Sequence, residues 1–345
     1  MITHCDVIVD LQAGDTGKGK VAHHLASKNS YDLVMRYNGG ANAGHTIFVN
    51  GTKIVTHQVP VGIFHNIPSL IGLGCVVNLE KLQQECEMLH SLGFRAPVFI
   101  DIRAHVTLPH HMEEDSRDMI IGTTRMGIGP TYRDKYDRKG VRAGMFDNTE
   151  WYTMVDTAKL LGISPLDVGK TRNTYDTVLC EGAQGYQIDV DWGDYPYVTS
   201  SHCTIGSVAL NGIAPRYLRN VYGIMKAYET YSGFKKTFID VDNPVFKKIQ
   251  EVGHEFGATT GRERQVRWLK LDDVIQAMYI NNITDLVINK VDVLDVVGQY
   301  GVVWNNNTLL FDNRTEFVEF VEETIRWYYR HPLNSLTWST SPETV

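Results

Sequence analysis

The chain has 345 residues, 43% of them hydrophobic and 21% charged, which is the balance of a globular protein with room for one large α/β domain or two smaller ones. A formal charge of −7 disfavours a general nucleic-acid binder, and no apolar run nears the roughly 20 residues of a membrane span. The five cysteines are widely spaced without a metal-ligand pattern, and the first strand begins close to the N-terminus with no signal peptide ahead of it. We therefore expect reduced thiols, a cytoplasmic protein, and neither nucleic acid nor membrane as partner.

Val7-Ile8-Val9 reads as a strand buried on both faces. It leads into Gly14-Asp15-Thr16-Gly17-Lys18-Gly19-Lys20, and Val21 to Ala26 then reads as the start of a helix. Three glycines let the backbone N–H groups turn towards a ligand, and the lysines add positive charge, so strand, loop and helix N-terminus together suit an anion, most often phosphate. The spacing is not Walker A. An aspartate inside such a loop repels phosphate unless Mg²⁺ lies between them or the carboxylate acts on the substrate as a base. After the strand Leu33-Val34-Met35, the segment Gly39-Gly40-Ala41-Asn42-Ala43-Gly44-His45-Thr46 places a histidine among residues too small to bury it, which favours a functional role.

Short strands punctuated by Pro60 and Pro68 follow between Ile54 and Ile71. Leu79 to Leu92 is helix-patterned and stops at Gly93, and Pro97 to Asp101 returns to strand. This alternation predicts a doubly wound α/β fold with a mainly parallel central sheet, taken as a single domain over residues 1–345. Thr123-Thr124 among glycines can cup a phosphate, with Arg133, Lys135, Arg138, Lys139 and Arg142 close behind. Residues 146–175 carry no motif. The strand Thr177 to Leu179 ends in Cys180-Glu181-Gly182-Ala183-Gln184-Gly185, at a C-terminal strand tip where α/β proteins place ligands. Tyr195 to Ser201 adds hydroxyls, and Gly257 to Arg264 joins a Gly/Thr loop to two arginine forks suited to carboxylate or phosphate. Leu286-Val287-Ile288 precedes Asn289-Lys290-Val291-Asp292, whose aspartate can take the N1–H and 2-amino N–H of a guanine. Glu316 to Tyr329 is a last amphipathic helix.

Gly-Asp-x-Gly-Lys-Gly-Lys at 14–20 and Asn-Ala-Gly-His-Thr at 42–46 resemble the adenylosuccinate synthetase family of purine ligases, and further motifs run in family order to Pro342. The resemblance implies phosphorylation of O6 of a purine nucleotide by a nucleoside triphosphate, followed by displacement with the amine of L-aspartate. Asp15 would be the base at N1 and a Mg²⁺ ligand, joined by the Gly44 carbonyl; His45 would be the acid near O6 and the γ-phosphoryl, and Gln184 would help hold O6. Thr16, Gly17, Lys18, Gly19, Lys290, Asp292, Ser339 and Pro342 would hold the triphosphate. Asn42, Thr124, Gln184 and Thr199 would bind the substrate nucleotide, with Arg138 reaching across a homodimer. Thr260, Arg262 and Arg264 would hold aspartate.

The sequence also departs from the family pattern. The usual Trp-Gly-Asp-Glu is Ala13-Gly14-Asp15-Thr16, Arg125-Met126 displaces an arginine, and Glu263 interrupts an arginine run. The ribose-contacting loop Arg-Val-Gly-Ala-Gly-Pro-Phe-Pro-Thr is replaced by Tyr231 to Ile239, and the chain is short for the family. These features resemble the family's phage branch and lead us to expect dGMP as acceptor and ATP as donor, with IMP and GTP as the ordinary alternative and a non-catalytic nucleotide-binding regulator as a reading of another class.

Overall fold

Val7 to Val9 are the centre of strand β1 (His4–Asp10), where Cys5, Val7 and Val9 pack to one side and Ile8 to the other, as alternation along a strand requires. The computed structural model describes residues 2–49, 51–117, 123–163, 175–236, 238, 243–257, 261–341 and 345. Eight further strands join β1 in the main sheet among the described residues: β2 (Leu33–Arg36), β3 (Ser69–Ile71), β4 (Val98–Asp101), β5 (Thr153–Val155), β6 (Thr177–Glu181), β7 (Leu218–Lys226), β8 (Asp285–Asn289) and β9 (Ser335–Trp338). The order is β9-β8-β7-β1-β6-β2-β3-β4-β5, and every pairing is parallel. The expected doubly wound α/β fold is therefore present. Helices cover both faces: Leu271–Asn281 and Arg314–Tyr328 on the Val7 side, α1 (Lys18–Lys28) and Leu79–Ser91 on the Ile8 side.

The sequence reading did not anticipate two features. Strand β5 lies within the motif-free stretch, where it takes an edge position with half-exposed residues and so carries little apolar signal. A separate four-stranded sheet combines Tyr228–Ser232, Arg264–Lys270, Tyr300–Trp304 and Asn307–Phe311. Its hairpin turns on Asn305 and Asn306, both left-handed (φ 48° and 60°), in keeping with asparagine's tolerance of that region. This sheet follows β7 after one residue and carries Ser232 and Arg264 towards the phosphate loop.

Because the main sheet is parallel, the loops after β1, β2, β6 and β8 open at one edge. Switch points at such an edge are the usual ligand sites of open α/β sheets.

Candidate active site

At that edge three non-glycine residues sit in the left-handed region, one each after β1, β6 and β8: Asp15 (φ 56°), Gln184 (φ 56°) and Lys290 (φ 71°). All three were expected as site residues, and such conformations concentrate where surrounding structure imposes them for function.

The phosphate loop is held from beneath by Asp10, the last residue of β1 and 1% exposed. Its Oδ1 accepts the N–H groups of Gln12 (2.9 Å) and Gly14 (3.4 Å). Its Oδ2 accepts the Thr16 hydroxyl (2.5 Å) and the Lys18 ammonium (2.8 Å). Lys18 is 5% exposed and also donates to the Gln184 carbonyl (2.6 Å), so this expected phosphate lysine is a buried cross-link. Thr16 likewise turns its hydroxyl inward. Gly17 begins α1 at φ 98°, and a Cβ there would lie 2.9 Å from Asn289 Nδ2, which donates to the Thr16 carbonyl (2.7 Å). The entry to α1 at Thr16 and Gly17 therefore packs against Asn289, the first residue of the Asn289-Lys290-Val291-Asp292 segment. Lys20 joins the same side, donating to Ser339 Oγ (2.5 Å) and the Ser341 carbonyl (2.8 Å). Burial, only partly opposed by Asp292, lowers its pKa to about 8. Lys290 donates to the Gly253 carbonyl (2.8 Å). Lys20, Lys290, Asp292 and Ser339 thus gather on one side of the loop, whereas Lys18 is turned beneath it to Asp10; Pro342 lies outside the described residues.

Asp15 itself points the other way, 32% exposed, with Ser232 Oγ (3.0 Å) and Arg264 (3.0 Å) both on Oδ2. Arg264 is 9% exposed and also bound to Glu255 (2.6 Å). Arg262 is exposed, and Thr260 lies outside the described residues.

His45 corrects one expectation. Its small neighbours do not leave it open: it is 5% exposed, because Gly19 of α1 packs against it and Arg36 and Glu181 flank it. Glu181, the last residue of β6, accepts from His45 Nδ1 (2.6 Å), Arg36 (2.5 Å) and the Val61 N–H (2.9 Å). Burial, then Arg36, lowers the His45 pKa to about 4. Burial alone would raise the Glu181 carboxyl, but Arg36 and His45 hold it down to about 2. At neutral pH His45 is a neutral imidazole whose Nδ1–H, assigned from the Glu181 contact, leaves Nε2 as the other ring nitrogen.

Gln184 is fixed by donating to Asn42 Oδ1 (3.0 Å) and accepting from Ser201 Oγ (3.2 Å), two residues beyond Thr199. Gly39 is confined by it, since a Cβ there would fall 2.6 Å from Gln184 Oε1. Thr124 is half-buried beside left-handed Arg125, and Arg138 is exposed at φ 63°. Among the described residues neither is joined to the Gln184 cluster by a hydrogen bond or ion pair. Sequence reasoning missed Asp10, Arg36, Glu181 and Glu255 as parts of the site. The available signal was an acid or arginine ending an otherwise apolar strand, which three of the four share.

The arrangement joins a cation-rich helix N-terminus for phosphate, a carboxylate beside it, and a buried imidazole–carboxylate–guanidinium triad. The adenylosuccinate synthetase family model matches residues 7–160 and 166–308. An adenylosuccinate synthetase of Chlorobium chlorochromatii is 40% identical over 341 residues, spanning 84% of this chain and 76% of that protein. One of Cytophaga hutchinsonii is 35% identical over 99% of this chain and 91% of its own length. Among solved structures, the fully ligated adenylosuccinate synthetase of Plasmodium falciparum superposes with TM-score 0.82 at 27% identity, covering 98% of this chain and 97% of that one. The succinoaminodeoxyadenylate synthetase of cyanophage S-2L, solved with dGMP and dATP, superposes with TM-score 0.70 at 22% identity over 94% of this chain and 100% of that one, a likeness of fold. With the phosphate loop, the aspartate beside it and the buried histidine triad in family order on the family's fold, the chain belongs to the adenylosuccinate synthetase family and is a C–N bond-forming ligase that joins aspartate to a purine nucleotide.

Proposed function

We propose that the protein converts a 6-oxopurine nucleoside monophosphate to its N6-succinyl derivative through a 6-phosphoryl intermediate, with IMP as acceptor and GTP as donor. The observation that carries the reaction is Asp15 at the mouth of the phosphate loop, bound to Arg264 (3.0 Å), with His45 on Glu181 (2.6 Å) on the α1 side. Asp15 takes the N1 proton, so that O6 gains the charge it needs to attack the γ-phosphorus. His45, neutral before substrate arrives, offers Nε2 to a phosphoryl oxygen, whose negative charge favours protonation of the ring there while Glu181 accepts from Nδ1–H. Arg262 and Arg264 receive the carboxylates of aspartate. The carboxylate and carbonyl oxygens suit a hard divalent cation, and both contacts of Asp15 fall on Oδ2, leaving Oδ1 without a partner among the described residues. Asp15 and Gly44 would hold Mg²⁺, which when bound would offset charge on the transferring phosphoryl group. The relatives are named adenylosuccinate synthetases, the ordinary branch for which IMP is the expected acceptor, and Asp292 in the first turn after Lys290 suits the N1–H and 2-amino group of a guanine donor.

A second reading, dGMP with ATP, follows from the altered ribose loop. Tyr231 stands where the family has an arginine. It is 6% exposed and packs with Ala13 and Phe238 beside Tyr197, an apolar wall in place of a hydrogen-bonding contact. Such a wall tolerates a missing 2′-hydroxyl and discriminates against a present one by about 10²-fold at most. Aspartate-dependent phosphate release measured with IMP, dIMP, GMP and dGMP, each with ATP or GTP, decides between them. Highest kcat/KM for IMP with GTP supports the first reading, highest for dGMP with ATP replaces it with the second, and no release with any pair removes both.

A further inference from the structure

A set of buried charges behind Asp15 has no part in the chemistry above. Lys226 ends β7 at 0% exposure, and Glu255 is 1% exposed. Lys226 Nζ donates to Thr230 Oγ1 (2.5 Å) and to Glu255 Oε1 (3.1 Å), and Tyr228 donates its hydroxyl to the same Oε1 (2.7 Å). The other oxygen of Glu255 accepts from Arg264 Nη1 (2.6 Å), while Arg264 Nη2 reaches Asp15 Oδ2 (3.0 Å). Burial lowers the Lys226 ammonium to about 8 against the pull of Glu255. Burial alone would raise the Glu255 carboxyl, but Lys226, Arg264 and Lys290 hold it near 2. Asp15, Arg264, Glu255 and Lys226 therefore form an alternating, neutral quartet. Among the described residues the buried Nε–H of Arg264 has no acceptor.

We propose that Glu255 is a positioning residue for the amino-acid substrate, anchoring Arg264 so that its guanidinium exchanges the Asp15 carboxylate for a carboxylate of the incoming aspartate. This rests on the ligase reading above. With Nη1 committed to Glu255, the Nε and Nη2 edge is the pair of donors that can take a carboxylate in two parallel hydrogen bonds. Asp15 uses only one of them. The unpartnered Nε–H and the singly engaged Nη2 therefore offer a carboxylate of aspartate two hydrogen bonds where Asp15 makes one. Lys226 is the countercharge that keeps Glu255 ionised in a site closed to water.

Glu255→Gln alone would leave Lys226 buried without its partner, so the informative variant is Lys226→Met/Glu255→Gln, which removes both charges together. Kinetics are measured with each of the three substrates varied in turn. The expected result is a KM for aspartate raised at least about tenfold, the scale of one lost charge-assisted hydrogen bond, with both nucleotide KM values within about twofold of wild type. Glu255→Asp with Lys226 intact should recover part of that loss. An unchanged aspartate KM, or an equal rise in all three, overturns the proposal. If wild type itself releases no phosphate in response to aspartate, the ligase reading is what fails. The anchor is then read directly from the guanidinium N–H signals of Arg264 in nitrogen-15 NMR, protected in wild type and exchange-broadened in the double variant; protection in both overturns it.

Discussion

Asp10→Asn is a change of one atom that removes what holds the phosphate loop. All four contacts of the carboxylate come from donors: two backbone N–H groups on Oδ1, a hydroxyl and an ammonium on Oδ2. An asparagine must turn its NH₂ towards one of those pairs, so either orientation sets donor against donor. It also leaves Lys18, 5% exposed, without its countercharge. Removing one partner of a buried ion pair costs about 3–5 kcal/mol. For 345 residues, an unfolding entropy of about 2.1 cal/mol/K per residue makes that roughly 4–7 °C in melting temperature. The loop should also lose its set of N–H directions, raising the KM for the triphosphate. Scanning calorimetry and steady-state kinetics test both effects, and Lys18→Met in the same chain should return most of the melting temperature by removing the stranded cation. A variant within about 1 °C of wild type with an unchanged donor KM would refute the view that Asp10 organises the loop.

Asp15→Asn and His45→Ala should each lower turnover by at least about 10²-fold with little change in circular dichroism, and near-normal turnover in either would remove it from the chemistry. In a homodimer completed by Arg138, mixing Arg138→Ala with Asp15→Asn subunits should restore part of the activity, because one mixed site is intact. No recovery despite proven subunit exchange would confine Arg138 to its own chain. Acid should destabilise the fold between about pH 6.5 and 4. Burial holds His45 and His65 at about 4, below their unfolded value, so as pH falls the unfolded chain takes protons first and stability present at neutral pH is lost across that window. A melting temperature flat from pH 7 to 4 would contradict this sign.

The strand–loop–helix unit from β1 to α1, the helix Leu79–Ser91 and the parallel sheet were legible in the sequence, because each depends on residues within a turn or strand of one another. An apolar run, three closely spaced glycines and a 3.6-residue stripe are local signals, and the strand–helix alternation they build has few parallel solutions. Asp15, His45 and Gln184 were themselves singled out for the same reason, as polar groups in small-residue loops that follow apolar strands. The partners of those residues were not. Lys20 meets Ser339 across 319 residues, Asn289 meets Thr16 across 273, and Glu181 meets Arg36 across 145. Spatial order in the sheet, β8-β7-β1-β6-β2, differs from chain order, so which strand tips become neighbours is decided only when the sheet assembles. Charge state follows the same rule. The sequence shows a lysine in a phosphate loop and a histidine among small residues. Only the packed structure makes Lys18 a buried cross-link to Asp10 and His45 a neutral ring on Glu181, because desolvation and short-range partners act through distance in space, whatever the separation along the chain.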